Sequence, residues 1–306
     1  MLYYLIDSEL NQTSAAFRIE GPDANTYLQG QFTQDLNRPT GSVAYGLFLN
    51  QKGKVLADAH VLKAGIDEFW VVSFSLAAPL LRERMEAYLI ADEVNIVDET
   101  SEWVRISIWG DEAGVTAEKL AGVQPAGEDV WCEGKGLKIF RGRRSAGKNF
   151  ELLTPKAEKF KIGEELKALG AKPADADTAA RERIASGIPL VPVDIGLNDL
   201  PNEGGLDEVA ISYTKGCYLG QEVMARLKNL GQVRRRLHVL SGVGEAPATG
   251  SPLFQRDKKV GEVRSSARDG NGFWAMAMLS LVNFEEASGL SLTENGPTNL
   301  SVTRRV

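Results

Sequence analysis

The side chains best suited to chemistry lie in one stretch, Tyr213-Thr214-Lys215-Gly216-Cys217-Tyr218-Leu219-Gly220-Gln221-Glu222, which continues through Val223-Met224-Ala225-Arg226. Two glycines flank a cysteine, a lysine precedes it by two positions, and a helix-forming run begins near Gly220. A helix N-terminus and a nearby cation both put positive potential beside a sulfur, which stabilises the thiolate and lowers its pKa. Cys217 is therefore expected as a partly exposed thiol in a ligand-facing loop, fit for redox chemistry or transient ligation. The competing reading is a buried structural cysteine, since a free cysteine often behaves as a small hydrophobe. Gly216 is expected to take a backbone conformation closed to other residues, or to let a ligand approach closely.

From Lys215 to Arg236 there are six basic residues (Lys215, Arg226, Lys228, Arg234, Arg235, Arg236) against the single acid Glu222. The whole chain, with 35 basic and 41 acidic residues, carries a net charge of −6, so this local surplus points to an anionic ligand or partner, or else to a solvated face. Asp58 and His60 stand two apart in a β-rich run, so they share one face of the strand. They form an acid–base pair, or Asp58 alone receives N–H groups of a ligand, or both sit at an exposed strand end. Cys132, between Trp131 and Glu133, and His238, close to Arg236, read as structural.

Two cysteines and two histidines in 306 residues exclude a disulfide scaffold, a zinc ribbon and a self-contained iron–sulfur site with four thiolates. No metal site is expected. Neither a P-loop nor a GxSxG elbow is present. Leu2 to Ile6 is a short apolar run with no basic residue before it and with Asp7 and Glu9 after it, unlike a signal peptide. No apolar stretch approaches the ~20 residues of a membrane span. The chain reads as a soluble cytoplasmic protein with no membrane partner.

Strand and helix signals alternate along the first half. A short strand is expected over Ala16 to Ile19, and a helix opened by Gly21-Pro22-Asp23 with proline in its first turn. Val43 to Leu49 and Lys54 to Leu62 read as strands joined by the hairpin turn Asn50-Gln51-Lys52-Gly53, with Phe69 to Phe74 continuing the sheet. Apolar residues at helical spacing mark Leu76 to Ile90. Val94 to Val97, Trp103 to Trp109, Leu137 to Phe140 and Phe150 to Leu153 read as further strands. The last two are linked by the basic turn Arg141-Gly142-Arg143-Arg144-Ser145-Ala146-Gly147-Lys148. Helices are expected over Asp111 to Leu120, Ala157 to Leu169 and Ala176 to Ser186. The prevalence of hairpins favours an α+β fold with antiparallel sheets over a doubly wound parallel one. Ile188 to Ser212, rich in proline and glycine, reads as a long ordered loop. Arg235 to Leu240, Lys259 to Ser265, Phe273 to Leu279 and Leu300 to Arg305 then read as a small all-β unit.

At KGCYLGQEVMAR, residues 215–226, the sequence resembles the YgfZ family. These are folate-binding relatives of the glycine-cleavage aminomethyltransferase, or T-protein, linked to iron–sulfur cluster assembly and tRNA modification. Gly21-Pro22-Asp23-Ala24, Leu28-Gln29-Gly30-Gln31, Thr33-Gln34-Asp35, the hairpin Leu49 to Asp58, Arg183-Ile184, Gly187-Ile188-Pro189 and Leu200-Pro201-Asn202-Glu203 extend the likeness over nearly the whole chain. The resemblance implies a three-lobed ring of antiparallel-sheet α+β subdomains in residues 1–232 and a C-terminal β-barrel in residues 233–306. Tetrahydrofolate or another reduced folate would lie in the central channel. It implies that Lys215, Gly216, Cys217 and Tyr218 line that channel and that Lys215 or Arg226 pairs with the folate carboxylates. Glu151 would take the pterin's N–H edge, and Arg183 joins the folate-binding set.

The sequence departs from the transferase pattern at two carboxylates. Ala57-Asp58 stands where the transferase has two aspartates, and Ala185 where it has a glutamate. The chain therefore reads first as a folate-binding accessory protein, with iron–sulfur client or assembly proteins as partners. A second reading is a folate-dependent one-carbon transferase or demethylase that uses Asp58 and Cys217. A third is an RNA-binding module, with a tRNA contact at Arg226, Lys228 and Arg234 to Arg236.

Overall fold

In the computed structural model, which describes residues 1–7, 14–124, 127–285 and 288–306, the strands form three sheets. Glu9 lies outside the described residues. The chain starts with β1 (Leu2–Ile6), then builds the first sheet from β2 (Ala15–Glu20), β3 (Val43–Leu49), β4 (Val55–Lys63), β5 (Glu68–Ser73) and β6 (Asn95–Asp98). Its order is β3-β4-β5-β2-β6, antiparallel throughout. Helices α1 (Ala24–Gln31) and α2 (Ala78–Glu86) cover one face through Tyr27, Leu28, Leu81 and Met85, which pack on Phe17, Phe48 and Phe69. Helix α1 starts at Ala24, so Pro22 occupies the preceding turn rather than the helix's first turn.

The second sheet comprises β7 (Trp103–Trp109), β8 (Cys132–Gly134), β9 (Leu137–Arg141), β10 (Asn149–Pro155) and β11 (Lys172–Pro173) together with β1, in the order β11-β1-β7-β10-β9-β8. Only the β1–β11 pair is parallel. Leu2–Ile6, a bare apolar run in sequence, is thus a strand. Its main partner is β7, far along the chain, so no local turn signal announces it. Helices α3 (Ala113–Ala121) and α4 (Lys159–Ala168) cover this sheet on one side.

The uncovered faces of these two sheets pack on each other, and strand alternation decides what lies between them. On β4, Ala57, Ala59 and Val61 face the helices, which leaves Asp58, His60 and Leu62 for the inter-sheet side. On β7, Ile106 and Ile108 face α3, which leaves Arg105 and Ser107 inward. On β10, Phe150 and Leu152 face the helices, which leaves Glu151 and Leu153. Apolar residues close one end of the interface: Val43, Leu62, Trp70 and Val72 against Phe140 and Leu153. Each large side chain buried there is worth roughly 1.5–3 kcal/mol. The polar residues are confined to the other end.

After α5 (Ala176–Ala185), the stretch expected as a loop contains a 3-10 turn at Pro201–Gly204 and the short helix α6 (Leu206–Ala210), so it is partly helical. Helix α7 (Gln221–Leu230) leads into the third sheet, formed by β12 (Arg235–Val243), β13 (Pro252–Gln255), β14 (Lys258–Asp269), β15 (Gly272–Ser280) and β16 (Leu300–Arg305). Its order is β13-β14-β15-β12-β16, antiparallel throughout. The expected C-terminal barrel is corrected here. The edge strands β13 and β16 do not pair with each other. Each makes one isolated bridge to the segment at Leu290 and Ser291, too short to continue the ladder as a strand. No helix among the described residues is long and apolar enough to cross a membrane.

Helix α7 seats its N-terminus on the β3–β4 hairpin turn. Gly220 is left-handed (φ +87°), and a Cβ on it would stand 2.8 Å from the Asn50 carbonyl oxygen and 3.2 Å from Gly53 Cα. Gly216 needs no such freedom: it is exposed and a Cβ would meet nothing within 4 Å, so the expectation of a special backbone there moves to Gly220. Gly220→Ala should cost about 2 kcal/mol or more, from backbone strain plus the clash, whereas Gly216→Ala should stay within about 0.5 kcal/mol of the parent. Urea unfolding of the two variants checks this, and equal midpoints would refute the assignment.

Candidate functional site

The polar end of the inter-sheet space holds two carboxylates among arginines. Tyr45 Oη donates to Asp58 Oδ2 at 3.0 Å, while Asp58 Oδ1 is buried without a partner. Ser107 Oγ donates to Glu151 Oε1 at 2.8 Å, and Arg144 Nε lies 3.6 Å from the same oxygen. Glu151 Oε2 is buried and unpartnered. The His60 ring is boxed by Tyr45, Phe74 and Phe140, with centroids at 5.1, 5.6 and 5.0 Å, and its Nδ1 has no partner. The sequence expectation of a surface pair at a strand end is excluded, and no hydrogen bond joins Asp58 to His60.

The arginines come from β7 and from the turn between β9 and β10. Arg105 and Arg144 stand 4.5 and 4.8 Å from the Phe74 ring centroid, and Arg143 stands 4.5 Å from that of Tyr45. Arg105 also donates to the Ser73 carbonyl, tying the two sheets together. Asn149 shapes the turn: its Oδ1 accepts from the Arg144 backbone N–H at 2.7 Å and its Nδ2 donates to Ser107 Oγ at 3.1 Å. A Cβ at Gly142 would come within 2.6 Å of Glu151 Oε1 and closer still to Asn149, so any larger residue there displaces both side chains. Read from sequence as a basic, glycine-containing turn, this segment sends Arg143 and Arg144 inward. Tyr45, Arg105, Ser107, Arg143 and Arg144 are the site residues that sequence reasoning missed. The available signal was a pair of arginines beside a glycine between two strands.

Burial dominates the protonation of this cluster. It pushes the Asp58 carboxyl up to about 6, against the opposing effects of the Tyr45 hydrogen bond and of Arg144 and Arg143. It raises Glu151 as well, partly offset by Arg144 and Ser107. It drives His60 down to about 3, helped by Arg143, Arg105 and Arg144. Arg105 is lowered to about 9 by burial and then by Arg144.

Arg183, on α5, donates to Asp194 Oδ2 at 2.6 Å, to the Ile188 carbonyl at 2.7 Å and to Ser265 Oγ at 3.0 Å. Asp194 also accepts from the Leu190 backbone N–H at 2.8 Å. This buried network holds Ile188, Pro189 and Leu190 against the cluster. A hollow of about 30 Å³ lies among Tyr45, Asp58, Glu151 and Pro189. Larger ones adjoin it: about 250 Å³ beside Arg144, Phe74 and Arg183; about 220 Å³ beside Arg143, Tyr45 and His60; and about 290 Å³ beside Arg143 and Pro189.

The 215–226 segment lies elsewhere. None of these cavities is lined by Lys215, Gly216, Cys217 or Tyr218. Lys215 is buried, and its Nζ donates to the carbonyls of Gln29, Phe32 and Gln34 at 2.8, 2.7 and 3.0 Å, capping the end of α1. All three of its hydrogens are thus used, which leaves none for a ligand carboxylate. Tyr218 is buried below it, Arg226 is exposed on α7, and Cys217 is exposed to solvent rather than held beside a cavity. Cys132 is half-buried on β8, and burial raises its thiol. His238 is buried with Nδ1 2.9 Å from the Arg236 carbonyl oxygen. Among the described residues, no three His, Cys, Asp or Glu are grouped to hold a metal ion.

The protonation pattern makes a stability prediction. Asp58 has a higher pKa folded (about 6) than unfolded (3.8), so the folded state binds the extra proton between those values and stability falls as pH rises through them. His60 acts oppositely: its depressed pKa means stability is lost as pH falls below 6.5 toward 3. Asp58→Asn removes only the first effect. It should be more stable than wild type at pH 7.5 by up to about 3 kcal/mol, with the gain fading by pH 4. Thermal melts across this range check it, and a variant no more stable at pH 7.5 would sink the claim.

Residues 11–215 match the family described as the GCVT N-terminal domain. The tRNA-modifying protein YgfZ of Shigella boydii is 26% identical over 247 residues, which cover 80% of this chain and 74% of that protein. YgfZ of Escherichia coli aligns to the same extent. An aminomethyltransferase of Listeria monocytogenes is 23% identical over 258 residues, covering 82% and 71%. The solved structure of glycine cleavage system aminomethyltransferase T from Bartonella henselae superposes with a TM-score of 0.82 at 18% identity, over 98% of this chain and 85% of that one.

Proposed function

The chain belongs to the GCVT N-terminal domain family, and on that premise we propose that it binds a reduced folate, tetrahydrofolate or a close derivative, at the Asp58–Glu151 cluster. It serves as an accessory protein for the assembly or repair of iron–sulfur clusters in client enzymes, tRNA-modifying ones included, rather than as a classical aminomethyltransferase. The observation that carries the binding claim is the pair of carboxylates, each with one buried oxygen that no protein group satisfies. A buried, unpaired acceptor is costly unless a ligand completes it. A pterin offers several N–H donors on one flat edge, and a carboxylate accepts two of them in parallel.

The residues present fit a folate in kind. Glu151 and Asp58 would take N–H groups, Tyr45 and Phe74 supply aromatic walls, and Arg143 and Arg144 stand where carboxylates of a glutamate tail would find cations. Arg143 and Arg144 thereby replace Lys215, whose ammonium is committed to α1. Arg183 acts as a positioning residue through Asp194. When bound, a reduced folate would supply a carrier for a one-carbon unit.

Two features support the accessory role. Where the transferase pattern expects carboxylates stand Ala57 and Ala185. The thiol of Cys217 faces solvent, where a client protein reaches it, not the site of the pterin. Relatives of this chain that bear the name tRNA-modifying protein point the same way. The alternative, a one-carbon transferase or demethylase, is favoured by one observation: Asp58 is poised near neutrality and oriented by Tyr45, as a general acid or base would be.

Anaerobic titration with tetrahydrofolate should give micromolar binding to wild type, at least tenfold weaker binding to Glu151→Gln, and unchanged binding to Cys217→Ser. No binding by wild type at micromolar concentrations refutes the folate claim. Cys217→Ser should nevertheless lower the activity of iron–sulfur clients in cells, and full complementation by this variant would remove the thiol from the mechanism. Turnover of a methylated or aminomethylated substrate, abolished in Asp58→Asn, would decide for the transferase.

A further inference from the structure

A groove of about 750 Å³, larger than any of the central cavities, lies where α6, α7 and the third sheet meet. Four cations line it: Lys228 from α7, Arg234 just before β12, Arg236 at its start, and Arg305 from β16. Among the described residues, Lys228, Arg234 and Arg305 are in no ion pair, whereas Arg235 is held by Asp199 and Glu203 at 2.8 Å each and Arg236 Nε donates to the Val306 main-chain oxygen at 2.6 Å. The triple-arginine run therefore splits into a structural Arg235, an unpaired Arg234 on the groove, and an Arg236 that lines the groove with its Nε already engaged. Arg236 and Arg305 are close enough that Arg305 adds to burial in lowering the Arg236 pKa. Like charges held this close favour a bound anion.

The groove is not uniformly basic. Asp207 and Glu208 also line it, so a purely acidic ligand would meet repulsion as well as attraction. Asn202 Nδ2 donates to Asp207 Oδ2 at 2.7 Å, which leaves Asn202 Oδ1, Asp207 Oδ1 and the Tyr213 hydroxyl without partners. Leu227, Leu281 and Val282 add an apolar wall, with Val282 77% exposed, and the Lys228 ammonium lies 4.0 Å from the Tyr213 ring centroid. The matching ligand carries an anion, a flat apolar body and N–H donors together. Nucleotides combine all three.

We propose that this groove binds nucleotide units of a single-stranded nucleic acid. Lys228, Arg234, Arg236 and Arg305 take the phosphates, and a base lies along the Leu227–Val282 wall with its N–H groups toward Asn202 and Asp207. The groove contains neither Asp58 nor Glu151, although it shares Glu208, Arg236 and Arg305 with the cavity of about 290 Å³ that adjoins their cluster, and the proposal does not rest on the folate reading.

Fluorescence anisotropy of the full chain with a fluorescein-labelled 12-nucleotide single-stranded RNA, and with its DNA counterpart, tests it. Neutralising three or four phosphates predicts a log–log salt slope of about −2 to −3, or roughly 20- to 50-fold weaker binding between 50 and 200 mM salt. Arg234→Glu with Arg305→Glu should weaken binding at least tenfold. Lys161→Glu with Lys167→Glu, which changes net charge equally on exposed α4, should not, and circular dichroism melts establish that both variants fold. Competition by adenosine or guanosine monophosphate at millimolar concentration would support a groove that reads single nucleotides. The proposal is overturned if wild type does not bind at 50 mM salt, if the two double variants bind alike, or if a decaglutamate peptide competes as well as the oligonucleotide.

Discussion

Two carboxylates set between two β-sheets, Glu151 fully buried and Asp58 half-buried with its free oxygen inside, with guanidinium groups as their counter-charges, form the constraint around which this molecule is arranged. Burying a charge costs several kcal/mol unless partners replace the lost water. Here replacement is incomplete. Asp58 and Glu151 each keep one oxygen unsatisfied, and both are pushed toward their protonated forms. A core selected for stability alone would fill this space with apolar residues, as it does at the far end with Trp70, Phe140 and Leu153. The polar end breaks that pattern.

The rest of the fold maintains the arrangement. Arg105 bonds across the sheets, Asn149 and Gly142 turn Arg143 and Arg144 inward, and the Arg183–Asp194–Ser265 network holds the Ile188–Leu190 segment over the opening. Because Ser265 belongs to β14, this network couples the third sheet to the cluster. The 215–222 segment works in the same indirect way. Lys215 closes the carbonyl end of α1, and Gly220 seats α7 on the β3–β4 hairpin, the strand pair that carries Tyr45 and Asp58. The chemistry-rich motif is therefore a staple with an outward thiol, and the buried carboxylate oxygens and inward arginines come from strands and a turn with plainer sequence.

Much of the architecture was legible locally. The bounds of β3, β7 and β16 follow from apolar alternation, and turn residues placed the hairpins. Asp58 and Glu151 were legible as candidates, the first from its spacing to His60 and the second through family likeness. Strand β1 and the short strands β8, β11 and β13 were not, since their partners supply the ordering and their own sequence does not.

By itself, the sequence determined the element types, the acidic balance, the scarcity of metal ligands and the alternation that puts Asp58 and His60 on one face. Tertiary structure alone decided which charges are buried. Arg143 and Arg144 look in sequence like any solvated basic turn, and Lys215 like a ligand's partner. Whether a cation meets water, a carbonyl or a carboxylate depends on segments distant in the chain, and local propensity carries no record of that encounter.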